Sequence, residues 1–324
     1  MFHLFSKTNL IRFAATLGFG LSMVTAQAAS NFPNGPVELI VNYGAGGNTD
    51  VAARYLAAGM EPELDETVVV LNRPGAMGTM GPSYLTRQKN DGQTIGVVTY
   101  STVAIAPHLM DVPYTIDDFE YIAGFGRFRY GVAVRADAPY DDIEGLIEAA
   151  KSGEGLFFGA PSAPNNLAMF ELARITDANL EQILYKSGAE TVNGLLSGQV
   201  DVIVQNPSDI LPHVKAGKMK LIASASPIRW HELPDVPTIK EQGYPVEIDS
   251  WLGIAAPKGT DPKKVELLQA AALAAMDNPE VQEQMNSIGI DPASLTGSEY
   301  REALAEGYEI MGKAIKEADL PRVN

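Results

Sequence analysis

The chain has 324 residues, no cysteine and a formal net charge of −16, with 40 acidic against 24 basic side chains. So acidic a surface argues against nucleic acid as a partner, and the lack of thiols excludes disulfides and thiolate metal sites. The length predicts about two domains.

Lys7 and Arg12 precede an apolar run over 13–25, and Ala26-Gln27-Ala28 forms a small-x-small cleavage signal. Residues 1–28 therefore read as a secretory signal peptide, and the run, interrupted by Gly18, Gly20 and Ser22, is too short for a comfortable membrane span. Losing Lys7 and Arg12 takes the formal charge from −16 to −18. The mature chain is expected to be soluble and to work outside the cytoplasmic membrane.

Segments 37–41, 68–71 and 94–99 are short β-branched runs, each followed by a turn rich in Gly, Pro or Ser/Thr, and they read as buried parallel strands. Between the first two, Ala52, Tyr55, Leu56, Gly59 and Met60 share one helical face, giving a βαβ unit. A second set of strands is predicted at 130–134, 156–158, 182–185 and 200–205, alternating with helices at 141–151 and 166–176. Segments 122–125 and 221–225 flank this set and are the expected crossings between two lobes. A proline-rich connection, 233–245, leads to a strand at 251–255. Two helices then close the chain, one from Pro262 with Val265, Leu268, Ala272 and Met276 in a stripe, the other over 298–318.

Residues 40–50, IVNYGAGGNTD, join a strand to a helix through a glycine turn, a geometry that offers bare backbone N–H groups and a helix N-terminus to an anion. The spacing fits neither a phosphate loop nor a dinucleotide fingerprint, so the expected anion is a small carboxylate. Further donor-rich turns follow strands at 72–81 (NRPGAMGTMG), 99–102, 159–163, 185–189 (YKSGA) and 205–208. Ligands of open α/β sheets bind at such strand ends, and two lobes facing each other with these loops describe a closing cleft.

Catalytic and metal signatures are poor. His108, His213 and His231 form no zinc motif. The turn Gly159-Ala160-Pro161-Ser162-Ala163 departs from the G-x-S-x-G elbow of hydrolases, so Ser162 reads better as a hydroxyl donor, with an α/β hydrolase as the alternative. Asp117-Asp118 and Asp141-Asp142 sit at helix starts, where they favour the macrodipole.

Several stretches together resemble one family. VELIVNYGAGGNTDVAARYLA (37–57), VVVLNRPGAMGTMGPSYLTRQKNDGQTIGVV (68–98), LYKSGAETVNGLLSGQVDVIV (184–204) and WLGIAAPKGTDPKKVELL (251–268) are similar, in order and spacing, to the extracytoplasmic solute receptors of tripartite tricarboxylate transporters, the Bug family. The resemblance implies an α/β fold of the type II periplasmic binding protein class, two lobes joined by a hinge with the ligand cleft between them. It divides the chain into signal peptide 1–28, lobe 1 (29–124 plus 226–324) and lobe 2 (125–225). It implies a non-catalytic periplasmic protein, without cofactor and expected to be a monomer, that captures a small organic di- or tricarboxylate or a related acid and delivers it to the membrane permease subunits of a tripartite tricarboxylate transporter. Presentation of the ligated protein to a membrane sensor kinase is a second alternative.

Carried over from the family, the ligand positions are Tyr43, Gly46, Gly47, Asn48 and Asp50, then Ser101 and Thr102, then Ser162, Tyr185, Ser187, Gly188 and Ala189. The turn GAPSAPNN (159–166) has two prolines where the family more often has a Gly/Ser-rich loop, which removes N–H donors that Asn165 and Asn166 could replace with side-chain amides. Asp50 has two readings: a cleft carboxylate favouring an amine or protonated group, or a brace at the helix start that Arg54 neutralises at i+4. Arg73 reads as a surface turn arginine rather than an anion clamp.

Overall fold

The computed structural model describes residues 32–160, 163–185, 187–317 and 322; the expected signal peptide lies outside the described residues. Strand β1 (Val37–Val41) leads into α1 (Asn48–Leu64), β2 (Val68–Asn72), α2 (Met80–Leu85) and β3 (Thr94–Thr99). A π-helical turn, Ser101–Ile105, runs straight into α3 (Ala106–Leu109), and the long β4 (Phe119–Phe128) follows. Next come β5 (Gly131–Arg135), α4 (Ile143–Lys151), β6 (Leu156–Ala160), α5 (Ala163–Thr176), β7 (Leu180–Leu184), α6 (Gly188–Leu196), β8 (Val202–Gln205), α7 (Pro207–Lys215) and β9 (Met219–Ser224). The chain continues through β10 (Ser250–Pro257), α8 (Pro262–Asp277), α9 (Pro279–Ser287), β11 (Ile290–Asp291), β12 (Leu295–Thr296) and α10 (Gly297–Glu317).

These strands build two sheets, one per lobe. The larger runs β11-β4-β10-β3-β1-β2, with β12 beside β4, and the smaller runs β7-β6-β8-β5-β9. Strand β1 pairs in parallel with β2 and β3, as the β-branched runs predict, and β10 closes antiparallel between β3 and β4. In the smaller sheet β6 is parallel to β7 and β8, whereas β5 runs antiparallel to β8 and β9. Both faces of each sheet are covered, so its strands are apolar on both sides. In the larger sheet Val97 packs with Leu39, Leu56 and Leu268, while its neighbour Val98 packs with Tyr100, Tyr300 and Leu304 on the other face.

Where two closing helices are expected, three form. Helix α8 ends at Asn278, whose side chain accepts the Glu280 N–H at 2.9 Å and so caps α9, with Pro279 in its first turn. A proline there cannot continue the preceding helix but suits the start of the next. Pro207 likewise opens a helix within the expected turn 205–208: α7 starts two residues into that turn, just after the end of β8 at Gln205.

Only Arg129 and Tyr130 separate β4 of the larger sheet from β5 of the smaller. Segment 225–249 stays with the smaller sheet: Ile239 and Ile248 donate their N–H groups to Ser224 and Ala225, and Ile239, Val246 and Ile248 enter its core. Residues 122–125 lie within β4, and Leu221 lies within β9. Beside the passage, the fully buried Arg129 guanidinium donates to both Glu232 oxygens, at 2.8 and 3.2 Å.

Candidate ligand site

The glycine turn after β1 is held open by its own sequence. Gly46 takes a left-handed φ of +83°, which a side chain would resist, and Gly47 is extended as the cap residue of α1. Gly47 has no side chain to cover the helix start, so the N–H groups of Asn48 and Thr49 have neither a cap nor an intrahelical acceptor. Asp50 does not face the cavity. Its buried carboxylate accepts from the Gly46 N–H at 2.8 Å, from Asn72 Nδ2 at 2.8 Å and from Arg54 Nε at 3.0 Å. Asn72 also donates to the Tyr43 carbonyl at 2.9 Å, so one side chain at the end of β2 ties both ends of the turn. Burial works to raise the Asp50 pKa, but the hydrogen bonds from Arg54, Gly46 and Asn72 and the Arg54 charge outweigh it and hold the carboxyl below its ordinary range.

A chain of hydroxyls extends from this turn to the end of β3. Tyr43 Oη and Ser101 Oγ are 3.0 Å apart, and Ser101 Oγ lies 2.9 Å from Thr99 Oγ1. Thr102 Oγ1 donates to the Thr99 carbonyl at 2.9 Å and accepts the Thr99 N–H, closing the turn on itself. Thr102 is thus a buried brace, and Ser101 is the hydroxyl left facing outwards. Burial raises the Tyr43 pKa against the lowering effect of its hydroxyl neighbours, so the phenol stays a neutral donor.

The smaller lobe contributes two further helix N-termini. Ser187 caps α6 by accepting the Glu190 N–H at 3.2 Å, which leaves Gly188 as the first helical residue. Asn206 precedes α7 and donates to the Arg129 carbonyl at 2.7 Å, tying that helix start to the passage between lobes. Tyr185 turns away: its hydroxyl donates to Gln199 at 3.3 Å, and its ring lies against Gly159 and Gly194.

These parts enclose a cavity of about 540 Å³ walled by both lobes. Tyr43, Gly47, Asn48, Ser101 and Gly188 line it. Gly46, Asp50, Thr102, Tyr185, Ser187 and Ala189 are not among its walls, and Ser162 lies outside the described residues. The sequence reading did not single out Thr49, Met77, Ile105, Phe128, Tyr130, Ser208, Asp209 or Ser250 as ligand positions, yet all line the cavity, together with Asn165 and Gln205. Gln205 is 1 % exposed, and its Nε2 has no hydrogen-bond partner among the described residues. Across the cavity Asn48 Nδ2 donates to Ser208 Oγ at 3.3 Å, a direct link between lobes. Arg73 stacks at 4.8 Å over Tyr84 on the surface. Among the described residues no group of three His, Asp or Glu side chains could hold a metal. A second cavity of about 530 Å³ lies between α5 and α10, but Leu167, Ala168, Trp251, Ala303 and Ala314 make much of its wall apolar.

Two lobes, a walled cavity and helix N-termini at its rim constitute a binding geometry. A family model described as the tripartite tricarboxylate transporter family receptor matches residues 52–320. The chain belongs to this family. Protein BugT of Bordetella pertussis is 30% identical to it over 95% of this chain and 98% of its own length. A TctC solute-binding protein from Polaromonas superposes with a TM-score of 0.79 at 28% identity, covering 88% of this chain and 99% of that one. The R. palustris protein Rpa4515, solved with adipate, superposes with a TM-score of 0.76 at 25% identity, covering 89% and 98%. As a tripartite tricarboxylate transporter receptor, the chain has a mixed α/β two-lobe fold and the role of a solute-binding protein. No helix among the described residues is long and apolar enough to cross a membrane.

Proposed function

We propose that this receptor works in the periplasm, after removal of residues 1–28, and captures a small organic acid in the cavity between its lobes for delivery to membrane permease subunits. The observation that carries the reading is the arrival of helix N-termini from both lobes, α1 from one and α6 and α7 from the other, at a single cavity. At α1 the N–H groups of Asn48 and Thr49 are unbonded among the described residues. At α7, in contrast, Pro207 has no N–H and the Asp209 N–H donates to the Asn206 carbonyl at 3.1 Å, so that end acts chiefly through its dipole. Such ends hold an anion without a full counter-charge. Gln205 Nε2, buried and without a partner among the described residues, supplies one more donor to the cavity. The adipate on Rpa4515 supports an acid as the class of ligand.

In this reading Tyr43, Gly47, Asn48, Ser101 and Gly188 contact the acid. Asp50, Thr102, Tyr185 and Ser187 hold the loops that carry those contacts, and Gly46 and Ala189 shape them. The chain passes between the two sheets at Arg129–Tyr130 and again where segment 225–249 gives way to β10. Closure depends on a ligand that bridges the lobes, since only differential affinity shifts an open and closed equilibrium. A thermal-shift screen of carboxylates, adipate included, tests the proposal. A ligand at a hundred times its Kd adds about 2.7 kcal/mol, or roughly 5 °C in a domain pair of this size. If no acid raises the midpoint while neutral or basic solutes do, the assignment fails.

A further inference from the structure

Asp209 is the charged side chain that the fold leaves facing the ligand. It stands in the first turn of α7 and lines the cavity, with its carboxylate beside Gly188: a Cβ built on that glycine would fall 2.5 Å from Asp209 Oδ2. No Lys, Arg or His is among the described residues that line the cavity. Asp50, the other acid near the site, is already neutralised by Arg54 and Asn72. Asp209 has no comparable hydrogen-bond or ion-pair partner among the described residues; His213, one helical turn on, is its nearest compensating group, and burial pushes the carboxyl above its ordinary range. The walls therefore have two chemistries: amide and N–H donors at α1 and on Gln205, and one carboxylate at the start of α7 that has no side-chain hydrogen bond or ion pair of its own among the described residues.

Resting on the organic-acid reading above, we propose that the ligand is an amino-bearing carboxylic acid, with its carboxylate on the α1 and Gln205 donors and its ammonium paired with Asp209. An ion with two free carboxylates would have to place one of them against Asp209 with no cation to offset it. A zwitterion supplies the counter-charge that the described residues of the cavity wall lack. Asp209 is then the specificity-determining residue, and the glycine at 188 leaves the room for it.

The test uses pairs of acids that share a carbon skeleton, with and without the amino group: aspartate and succinate, glutamate and glutarate, 2-aminoadipate and adipate. Each is titrated calorimetrically into the mature protein and into Asp209→Asn, which keeps the shape and removes the charge. The expected result is that the amino member of at least one pair binds the wild type tenfold or more tightly than its partner, and that Asp209→Asn erases this preference. If the simple diacids bind the wild type as well as or better than the amino acids, with the ratio unchanged in Asp209→Asn, Asp209 serves as a neutral donor or a bystander and the inference is overturned. If no acid of either kind binds the folded wild type, the organic-acid reading falls and this inference falls with it. Circular dichroism of Asp209→Asn, and its binding of at least one acid, separate lost preference from lost fold.

Discussion

Replacing Asp50 by alanine removes the brace beneath the glycine turn while leaving the cavity walls in place. The carboxylate is 2 % exposed and accepts four contacts of 2.8–3.0 Å, from Gly46, Asn72 and two nitrogens of Arg54. Hydrogen bonds to a charged acceptor contribute about 1.5–3 kcal/mol each, but most of these partners have alternatives. Arg54 is half exposed, so its pair is worth at most about 1 kcal/mol, and the exposed Gly46 N–H can turn to water. Asn72 retains the Tyr43 carbonyl. The loss that remains is one buried charged bond plus fractions of the others, about 2–3 kcal/mol, or roughly 4–8 °C in melting temperature.

Thermal unfolding of wild type, Asp50→Ala and Asp50→Asn between pH 3 and 7 measures it. Because the folded carboxyl titrates below its ordinary range, its contribution is complete above the unfolded value of about 3.9 and disappears as pH falls through the lower folded value. The gap between wild type and Asp50→Asn should therefore be full at pH 7 and narrow below about pH 4. A gap smaller than about 0.5 kcal/mol at neutral pH, or one that does not shrink in acid, would refute the brace.

Gly47→Val should keep the fold, since φ of −77° with ψ of 161° suits valine and its Cβ would lie 3.5 Å from the Gly44 carbonyl. The side chain would stand over the bare N–H groups of α1, so calorimetry should show acid binding lost; unchanged affinity would remove the turn from the site. Arg129→Met strands Glu232 and empties a charged, fully buried position, a loss of about 2–4 kcal/mol readable as a lower urea midpoint with an unchanged slope. Gly297→Ala would set a Cβ 2.1 Å from the Tyr121 carbonyl oxygen, a backbone atom in β4 that cannot step aside. It should cost about 1–3 kcal/mol or more by urea unfolding, whereas Gly44→Ala, with open space at its Cβ, should be neutral.

The parts of the fold that were legible are those written in local periodicity. Strands β1 and β3 begin and end where the β-branched runs do, and α10 (Gly297–Glu317) starts one residue before the expected 298. Helix α9 was hidden because Pro279 reads as a stop when only the preceding helix is considered, although Asn278-Pro279 is also a start. The same ambiguity hid α7, and with it Asp209, which directly follows the turn recognised as donor-rich. Tyr130 and Ser250 left no local trace at all. They reach the cavity because two long-range pairings bring β4, β5 and β10 together at the passage between lobes, and register between distant strands is not encoded in either strand alone.

The glycine turn was recognisable as an anion loop, yet the two acids near the cavity, Asp50 in that turn and Asp209 in α7, acquire opposite meanings only in three dimensions. A chain of net charge −16 would seem a poor receptor for an anion. Surface charges, however, are screened over about 8 Å at physiological ionic strength, so the distant carboxylates barely reach the cavity. What acts there is local. A helix N-terminus contributes about 0.3–1 kcal/mol when exposed and up to about 2 when partly buried, so the α1 end, together with the Gln205 donor, favours one carboxylate. A second carboxylate within about 4 Å of Asp209 would meet repulsion of about 4 kcal/mol at an effective dielectric constant of 20, comparable to everything the dipoles supply. On the proposed placement, a second carboxylate near Asp209 is opposed unless the ligand brings an ammonium with it, so the pairs with and without the amino group test the second end of the ligand and not merely the presence of an acid.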